Sequence, residues 1–366
     1  MNELPHDSNL DINCLASIFR SRSTSYKFLL FRSILCSIKE KKETLEFSDL
    51  ALRSLSYASF SINFYKLNFG LSDQISYWVK ELSSITEVEH FKTEEIYKKL
   101  KYALFESESN NSKIVKGFVS NFKKDVPYRL ISPWFKKELE GEDETKKNSL
   151  ISEFSQNKSK KSLYQIIESE GELKLILYAE WADYIEKNIT FIEGWWRSEF
   201  LLYLQKNNPT VLSLATKLEP PNERNMAEAK RLYQEFFTFT KTKPICFYSN
   251  DPLETISHDH FLPWSFLGND PIYNFVPTTK SINSKKNNSI PHKNYLRPFS
   301  EYQFQFYDFI RNHVKKSRTL EAYLIDLQID RGINKAEFSK KIISYYEPLY
   351  LTSKNQGFHQ DWEYKK

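Results

Sequence analysis

Glycine and cysteine are both scarce in this chain, and long apolar runs are missing. Gly supplies only 8 of 366 residues, which disfavours a fold made of tight hairpins and left-handed turns. The three cysteines, Cys14, Cys36 and Cys246, are too few and too scattered for a disulfide framework or a four-cysteine zinc site. The sequence also lacks a membrane-spanning apolar run and the pattern of a signal peptide. We therefore expect a cytoplasmic protein in a reducing compartment, without membrane contact.

The apolar content is high enough for folded domains. Hydrophobic residues make up 40% of the chain and aromatic residues 16%, and the length suits two or three domains. Apolar residues recur at helical spacing in 24–39, where Phe28, Phe31 and Leu35 share one face, and again in 47–68. We expect a mainly α protein, in which the pair Trp195-Trp196 fills core or interhelical space, with stacking on a nucleotide as the alternative.

Basic residues are concentrated in one segment. The net charge of +5 is too small to identify a nucleic-acid partner by itself. Between Pro271 and Arg297, however, there is no acidic residue. The basic residues of this segment are Lys280, Lys285, Lys286, Lys293 and Arg297. Such a stretch attracts a polyanion, although a solvated lysine-rich loop would have the same composition.

The sequence pattern changes after Lys243. Residues 244–248 are short, apolar and β-prone, and 249–252 have the composition of a turn. A second strand is expected over 255–261, and a helix can begin near Thr278. Strand, strand, loop and helix would form a compact ββα unit.

Four polar residues of this unit stand at a distinctive spacing. Asp259 and His260 are adjacent, Asn274 follows His260 by fourteen residues, and Asn283 follows by nine more. With the intervening run Pro-Trp-Ser-Phe-Leu at 263–267, residues 243–297 resemble the HNH nucleases, which have a ββα-metal fold. The segment is similar to the HNH domain of the RNA-guided CRISPR nucleases.

The resemblance implies a role for each matching residue. Asp259 would bind a divalent cation, with Mg²⁺ expected and Mn²⁺ as an alternative, and Asn283 would supply a neutral oxygen to the same cation. His260 would be the general base, a role that suits imidazole because its unperturbed pKa lies near neutrality. Asn274 would hold either the His260 ring or the connecting loop in place.

Other polar residues of the segment are predicted to contact substrate. These are Lys280, Lys285, Lys286 and His258. Strand alternation puts His258 on the same face as His260 and opposite to Asp259, unless the strand ends or twists there. We therefore assign His258 to a phosphate-contacting or supporting role and not to the metal.

The segment departs from many HNH nucleases in one respect. Those proteins hold a structural zinc with two Cys-x-x-Cys pairs, but here Ser249 stands at the partner position of Cys246, and the second pair falls at Thr279 and Ile282. We expect no structural zinc, so aromatic packing has to stabilise the unit instead.

These observations define a domain organisation. We predict a helical recognition or regulatory region over 1–239, an HNH nuclease domain over 240–318 and a C-terminal helical segment over 319–366, whose last dozen residues fray. The helical N-terminal region is suited to recognise a target, bind a partner or restrain the nuclease.

The predicted function is a metal-dependent HNH endonuclease that hydrolyses phosphodiester bonds of DNA, in bacterial defence against foreign DNA. The first alternative is an endonuclease acting on RNA, such as tRNA. The second is a nucleic-acid-binding scaffold with an inactive HNH unit that grips its partner through Lys280, Lys285, Lys286 and Arg297. A partner protein and self-association both stay open.

Overall fold

The computed structural model confirms a mainly α protein with small sheets. It describes residues 4–86, 93–105, 109–157, 160–169, 171–220, 226–241, 243–314 and 318–366. Within these ranges there are 16 α-helices and five short strands. None of the helices there has both the length and the apolar character needed to cross a membrane. The chain divides into two compact units, Met1–Pro209 with Leu218–Pro220 and Thr210–Lys217 with Pro221–Lys366.

The first unit combines helices with one antiparallel sheet. Its helices are α1 (Ile12–Ala16), α2 (Tyr26–Lys39), α3 (Phe47–Asn63), α4 (Ile75–Glu81), α5 (Ser83–Thr86), α6 (Thr93–Phe105), α7 (Asn110–Ile131), α8 (Glu144–Ser155), α9 (Ala179–Lys187) and α10 (Ile189–Asn207). Its strands are β1 (Thr44–Glu46), β2 (Tyr164–Ser169) and β3 (Glu172–Leu177), in the order β1-β3-β2.

Aromatic side chains form much of the core of the first unit. The predicted apolar face of α2 is buried, with Phe28 and Phe31 at most 1% exposed. Trp195 and Trp196 of α10 are also buried, and the Trp196 indole N–H donates to the Phe28 carbonyl at 2.9 Å. The tryptophan pair thus fills core space, as predicted.

The second unit places a two-stranded antiparallel sheet among helices. Its helices are α11 (Ala227–Thr240), α12 (Trp264–Leu267), α13 (Lys280–Lys286), α14 (Leu296–His313), α15 (Arg318–Asp326) and α16 (Lys335–Asn355). The strands are β4 (Ser257–His260) and β5 (Phe275–Thr278), with Asp259 opposite Val276 and His260 opposite Phe275.

One hydrophobic core contains residues of the sheet and of helices that precede and follow it in the sequence. Tyr233 of α11 stacks on Phe306 of α14 with ring centroids 4.0 Å apart, and Phe261 stacks on Phe299 at 3.9 Å. Residues from α11 and from α16 therefore belong to the same core as the sheet. The three-domain division of the sequence stays a prediction.

The strand pairing differs from the sequence expectation. Residues 244–248 do not form the first strand of the sheet; they contribute a single antiparallel bridge, Ile245 to Pro252, and a turn closed by the Asn250 N–H on the Cys246 carbonyl. Prolines at 244 and 252 lack the N–H groups that a regular ladder requires. The partner of β4 is instead β5, which the sequence shows only as a short apolar run.

The C-terminal segment is ordered, so the expectation that it frays is wrong. Backbone hydrogen bonds join Ile290 to His359 and to Trp362, and His292 to Trp362. The Trp362 ring also packs edge-on against Tyr248, with centroids 5.0 Å apart. These contacts hold residues 359–362 against the loop that follows α13.

Candidate active site

Strand β4 and helix α13 carry most of the residues that the sequence analysis singled out. Thr279 directly follows β5 and caps α13, because its hydroxyl accepts a hydrogen bond from the Ile282 N–H. Asn283, one turn into the helix, donates from its side-chain amide to the Ser257 hydroxyl at 3.2 Å and to the His258 carbonyl at 3.4 Å. The helix is thereby fixed against the strand that contains Asp259.

Asp259 is a buried carboxylate with side-chain donors on one oxygen. It is 4% exposed, and its Oδ2 accepts a hydrogen bond from the Tyr248 hydroxyl at 2.7 Å. The Lys286 Nζ lies 3.0 Å from the same oxygen. Burial and the negative charge of Asp259 raise the pKa of Tyr248, which keeps its hydroxyl protonated as a donor. Oδ1 of Asp259 accepts no hydrogen bond from any described residue.

Lys286 lies in the interior, unlike the other predicted substrate contacts. Its side chain is fully buried at the end of α13, and its Nζ donates to the His260 carbonyl at 2.7 Å in addition to its ion pair with Asp259. One ammonium group therefore links the two neighbouring residues of the Asp-His pair. Such a buried pair is sensitive to the removal of either partner.

His260 is held by an acidic side chain that the sequence analysis did not assign. Its Nε2 lies 2.6 Å from Asp270 Oδ1, and its ring packs against Phe275 with centroids 4.4 Å apart. A carboxylate only accepts hydrogen bonds, so Nε2 carries the proton in the neutral ring and the lone pair is on Nδ1. The loop thus sets the tautomer that a general base requires.

Asn274 holds the connecting loop. It is fully buried, its Oδ1 accepts from the Leu262 N–H at 2.9 Å, and its Nδ2 donates to the Leu262 carbonyl at 2.8 Å. The Tyr346 hydroxyl also donates to Oδ1 at 3.2 Å. Of the two roles that the resemblance implies, this geometry matches the second: Asn274 fixes the chain just after His260.

The chemistry of the donor set fits a hard divalent cation. In the described part of the chain no group of three His, Cys, Asp or Glu side chains could hold a metal ion, so a cation here would need neutral oxygens and water as further ligands. Asp259 Oδ1 and the amide oxygen of Asn283 supply two hard oxygens without hydrogen bonds to described residues. Asp259 lies on β4 and Asn283 on α13, and the hydrogen bond from the Asn283 amide to the His258 carbonyl joins these two elements.

The remaining predicted substrate contacts lie around this pair of elements. Lys280 and Lys285 are exposed on α13. His258 is half-buried, with its ring 5.0 Å from that of Tyr233. Burial, together with the nearby charge of Lys230, lowers the pKa of His258 to about 4, so its ring is neutral at neutral pH.

The four positions of the missing zinc ligands have structural roles. Cys246 is buried with its Sγ 3.4 Å from the Thr278 hydroxyl, and the Ser249 hydroxyl accepts the Asp251 N–H. Thr279 caps α13 and Ile282 joins the core. The surrounding aromatic rings supply the apolar packing expected from the sequence.

Two contacts of the site could not be read from residue spacing. Asp270 lies ten residues after His260 in a loop, and Tyr248 looked like a core aromatic. Trp362, from the far end of the chain, packs on Tyr248. Only the folded structure brings Tyr248 to Asp259 and Asp270 to His260.

Comparison with known proteins identifies the segment that carries this geometry. The family model described as HNH endonuclease matches residues 246–292. The search of curated proteins and the search of solved structures give no significant match. The matched segment contains Asp259, His260, Asn274 and Asn283. An HNH domain of this kind indicates a nuclease that binds nucleic acid and generally uses a divalent metal.

Proposed function

We propose that the protein is a metal-dependent endonuclease that hydrolyses phosphodiester bonds of DNA at the β4–α13 site. The observation that carries this proposal is the arrangement around the Asp-His pair. Lys286 links Asp259 to the His260 backbone, and Asp270 orients the His260 ring. One carboxylate oxygen of Asp259 and the amide oxygen of Asn283 accept no hydrogen bond from a described residue. These contacts provide a proton-accepting base and open hard oxygens for a metal ion, both of which metal-dependent phosphodiester hydrolysis uses.

His260 moves the proton in the proposed reaction. Its Nδ1 accepts a proton from the attacking water, whose oxygen forms a bond to phosphorus while the bond to the leaving oxygen breaks. Asp270 acts as a positioning residue, because it holds Nε2–H and stabilises the imidazolium that results. Phe275 limits rotation of the ring through direct contact.

Asp259 and Asn283 would hold the cation through Oδ1 of each side chain. When bound, Mg²⁺ or Mn²⁺ would neutralise charge that develops on the phosphate and the leaving oxygen. Lys286 fixes the Asp259 carboxylate through their ion pair, which favours a role inside the site over the predicted substrate contact. Lys280, Lys285 and His258 are assigned to substrate binding.

Cleavage by the purified full-length protein tests the proposal. Double-stranded DNA, single-stranded DNA and RNA are incubated with Mg²⁺, Mn²⁺ or EDTA, and products are resolved on gels. We expect DNA cleavage that requires the divalent ion. Cleavage of RNA alone would transfer the proposal to the RNA substrate, and no cleavage of any polymer would favour the inactive scaffold.

We further propose that this activity serves bacterial defence against foreign DNA, in the cytoplasm. The support is the sequence similarity of 243–297 to the HNH domain of RNA-guided nucleases and the scarcity of cysteine. Phage plating on cells that express the wild type or His260→Ala tests the role. Equal plaque numbers on both would contradict it.

A further inference from the structure

A cavity of about 390 Å³ lies next to the beginning of strand β4. Three elements contribute to its lining: Ser257 and His258 from β4, Lys280 from the first turn of α13, and Lys230 from α11. Lys230 lies outside the segment that matches the HNH family model. The cavity therefore combines the nuclease strand with a helix that no comparison assigns to the site.

The cavity has a strongly positive lining. Lys230 and Lys280 are both exposed, and neither forms an ion pair with a described residue. Among the residues that the structure describes, no acidic side chain lines the cavity. Two uncompensated ammonium groups in one concave site favour an anion, and phosphate oxygens suit them as acceptors.

His258 adds a polar group without a protein partner. Its Nε2 is buried and makes no hydrogen bond within the described residues. A buried ring nitrogen without a partner costs free energy, and because this atom is buried, a ligand in the cavity can bond to it only after the ring rotates. The cavity thus offers the two lysine ammonium groups as contacts, while His258 contributes ring surface to the lining.

We propose that this cavity binds a backbone phosphate of the nucleic acid, beside the phosphate that is cut, with Lys230 and Lys280 as its cationic contacts. The inference rests on the proposed function, because it takes the Asp259–His260 end of β4 as the cleavage position. Each strand residue advances the backbone by about 3.3 Å, so Ser257 lies within about 7 Å of Asp259 along β4. One nucleic-acid strand can therefore contact both places.

Salt-dependent binding of the full-length protein tests the proposal without cleavage. A DNA duplex is titrated in EDTA between 50 and 200 mM salt with the wild type, Lys230→Ala, Lys280→Ala and the double variant. We expect each single change to weaken binding about tenfold and to lower the salt slope by less than about one, because the other lysine still contacts the same phosphate. The double variant should lose less than the product of the two, because both lysines contact one phosphate. The same titration with an RNA of equal length shows whether DNA or RNA supplies the phosphate.

Lys354→Ala is the matched control, since Lys354 is also exposed but does not line the cavity. Equal effects of Lys230→Ala and Lys354→Ala would overturn the phosphate site, as would a wild type that binds neither DNA nor RNA. Cleavage by the wild type in Mg²⁺ is measured in parallel. If cleavage is absent while Lys230→Ala still lowers the salt slope selectively, the proposed function fails and the phosphate site stands.

Discussion

Each unit of the protein buries a carboxylate, and the two carboxylates are used differently. In the first unit, Asp73 accepts hydrogen bonds on both oxygens, from the Ser25 N–H at 2.6 Å and from the Ile75 N–H at 2.9 Å. In the second unit, Asp259 contacts the Tyr248 hydroxyl and the Lys286 ammonium through Oδ2 alone. Asp73 accepts from backbone N–H groups on both oxygens and also from the Tyr203 hydroxyl at 3.3 Å, whereas Asp259 is held by side chains and keeps one oxygen open.

The difference separates a structural acid from one available to a ligand. A carboxylate whose two oxygens are occupied by backbone N–H groups has little capacity left for a metal ion. A carboxylate oriented through one oxygen is positioned by the protein and can still coordinate through the other. The number of free acceptor positions therefore distinguishes the two buried acids better than their burial does.

Replacing the proposed base should have the largest effect and tests the second unit directly. His260→Ala removes the group that accepts the proton, and general-base catalysis contributes about 10²–10⁴-fold. We expect DNA cleavage to fall about a thousandfold in a gel-based rate assay. His359→Ala is the control, since His359 is exposed and, among the described residues, only its backbone carbonyl accepts a hydrogen bond from another segment. An equal loss in both would contradict the assignment.

Removing the residue that orients the base should have an intermediate effect. Asp270 is partly exposed, so Asp270→Ala should leave the urea midpoint of unfolding nearly unchanged while kcat falls about 10–100-fold. Asp270→Asn should recover part of kcat because its side-chain oxygen still accepts a hydrogen bond from Nε2–H. Loss of stability without loss of kcat would show that the His260–Asp270 contact is only structural.

The matching change in the first unit should affect folding but not the metal requirement. Asp73→Ala leaves the Ser25 and Ile75 N–H groups without their acceptor, and each unsatisfied group costs about 1–3 kcal/mol. We expect the free energy of unfolding in urea to fall by about 2–4 kcal/mol. The Mg²⁺ concentration at half-maximal cleavage should not move, and a shift would break the distinction between the two carboxylates.

A second comparison, between two buried lysines of the second unit, predicts a pH dependence. Lys286 has a carboxylate partner, whereas the Lys217 Nζ donates to the Phe266 carbonyl at 2.6 Å. Burial lowers the pKa of Lys217 from 10.5 to about 7. Above pH 7 the unfolded chain then binds more protons than the folded one at this position, so the Lys217 contribution to stability rises between pH 7 and 10.5.

Lys217→Met isolates that contribution. The free energy of unfolding of the variant minus that of the wild type should decrease as pH rises from 7 to 9, by about 1.4 kcal/mol per pH unit at most. Urea unfolding at both pH values measures the difference. A difference that does not change with pH would show that Lys217 keeps its charge in the folded protein.

Part of this site could be predicted from the sequence because its motif is local. Asp259 and His260 are adjacent, and Asn283 lies on the helix that follows β5, so their placement depends on one short stretch of chain. Asn274 could be linked to the loop for the same reason. The helical face of α2 was predictable because burial follows a regular spacing.

The rest depended on packing between distant segments. The apolar run at 275–278 gave no sign that it, and not 244–248, pairs with β4. Lys286 looked like part of a basic surface because it stands in a stretch with five basic and no acidic residues, and only the position of α13 against β4 buries it. The contact of Trp362 with Tyr248 joins residues 114 positions apart.

The central claim is that Asp259 and Asn283 hold a divalent cation beside His260. Anomalous X-ray diffraction from crystals of the full-length protein soaked in Mn²⁺ tests it most directly. We predict a single strong peak in contact with Asp259 Oδ1 and Asn283 Oδ1, which is lost in Asn283→Ala crystals. A Mn²⁺ peak bound elsewhere, with no density between these two oxygens, would contradict the account.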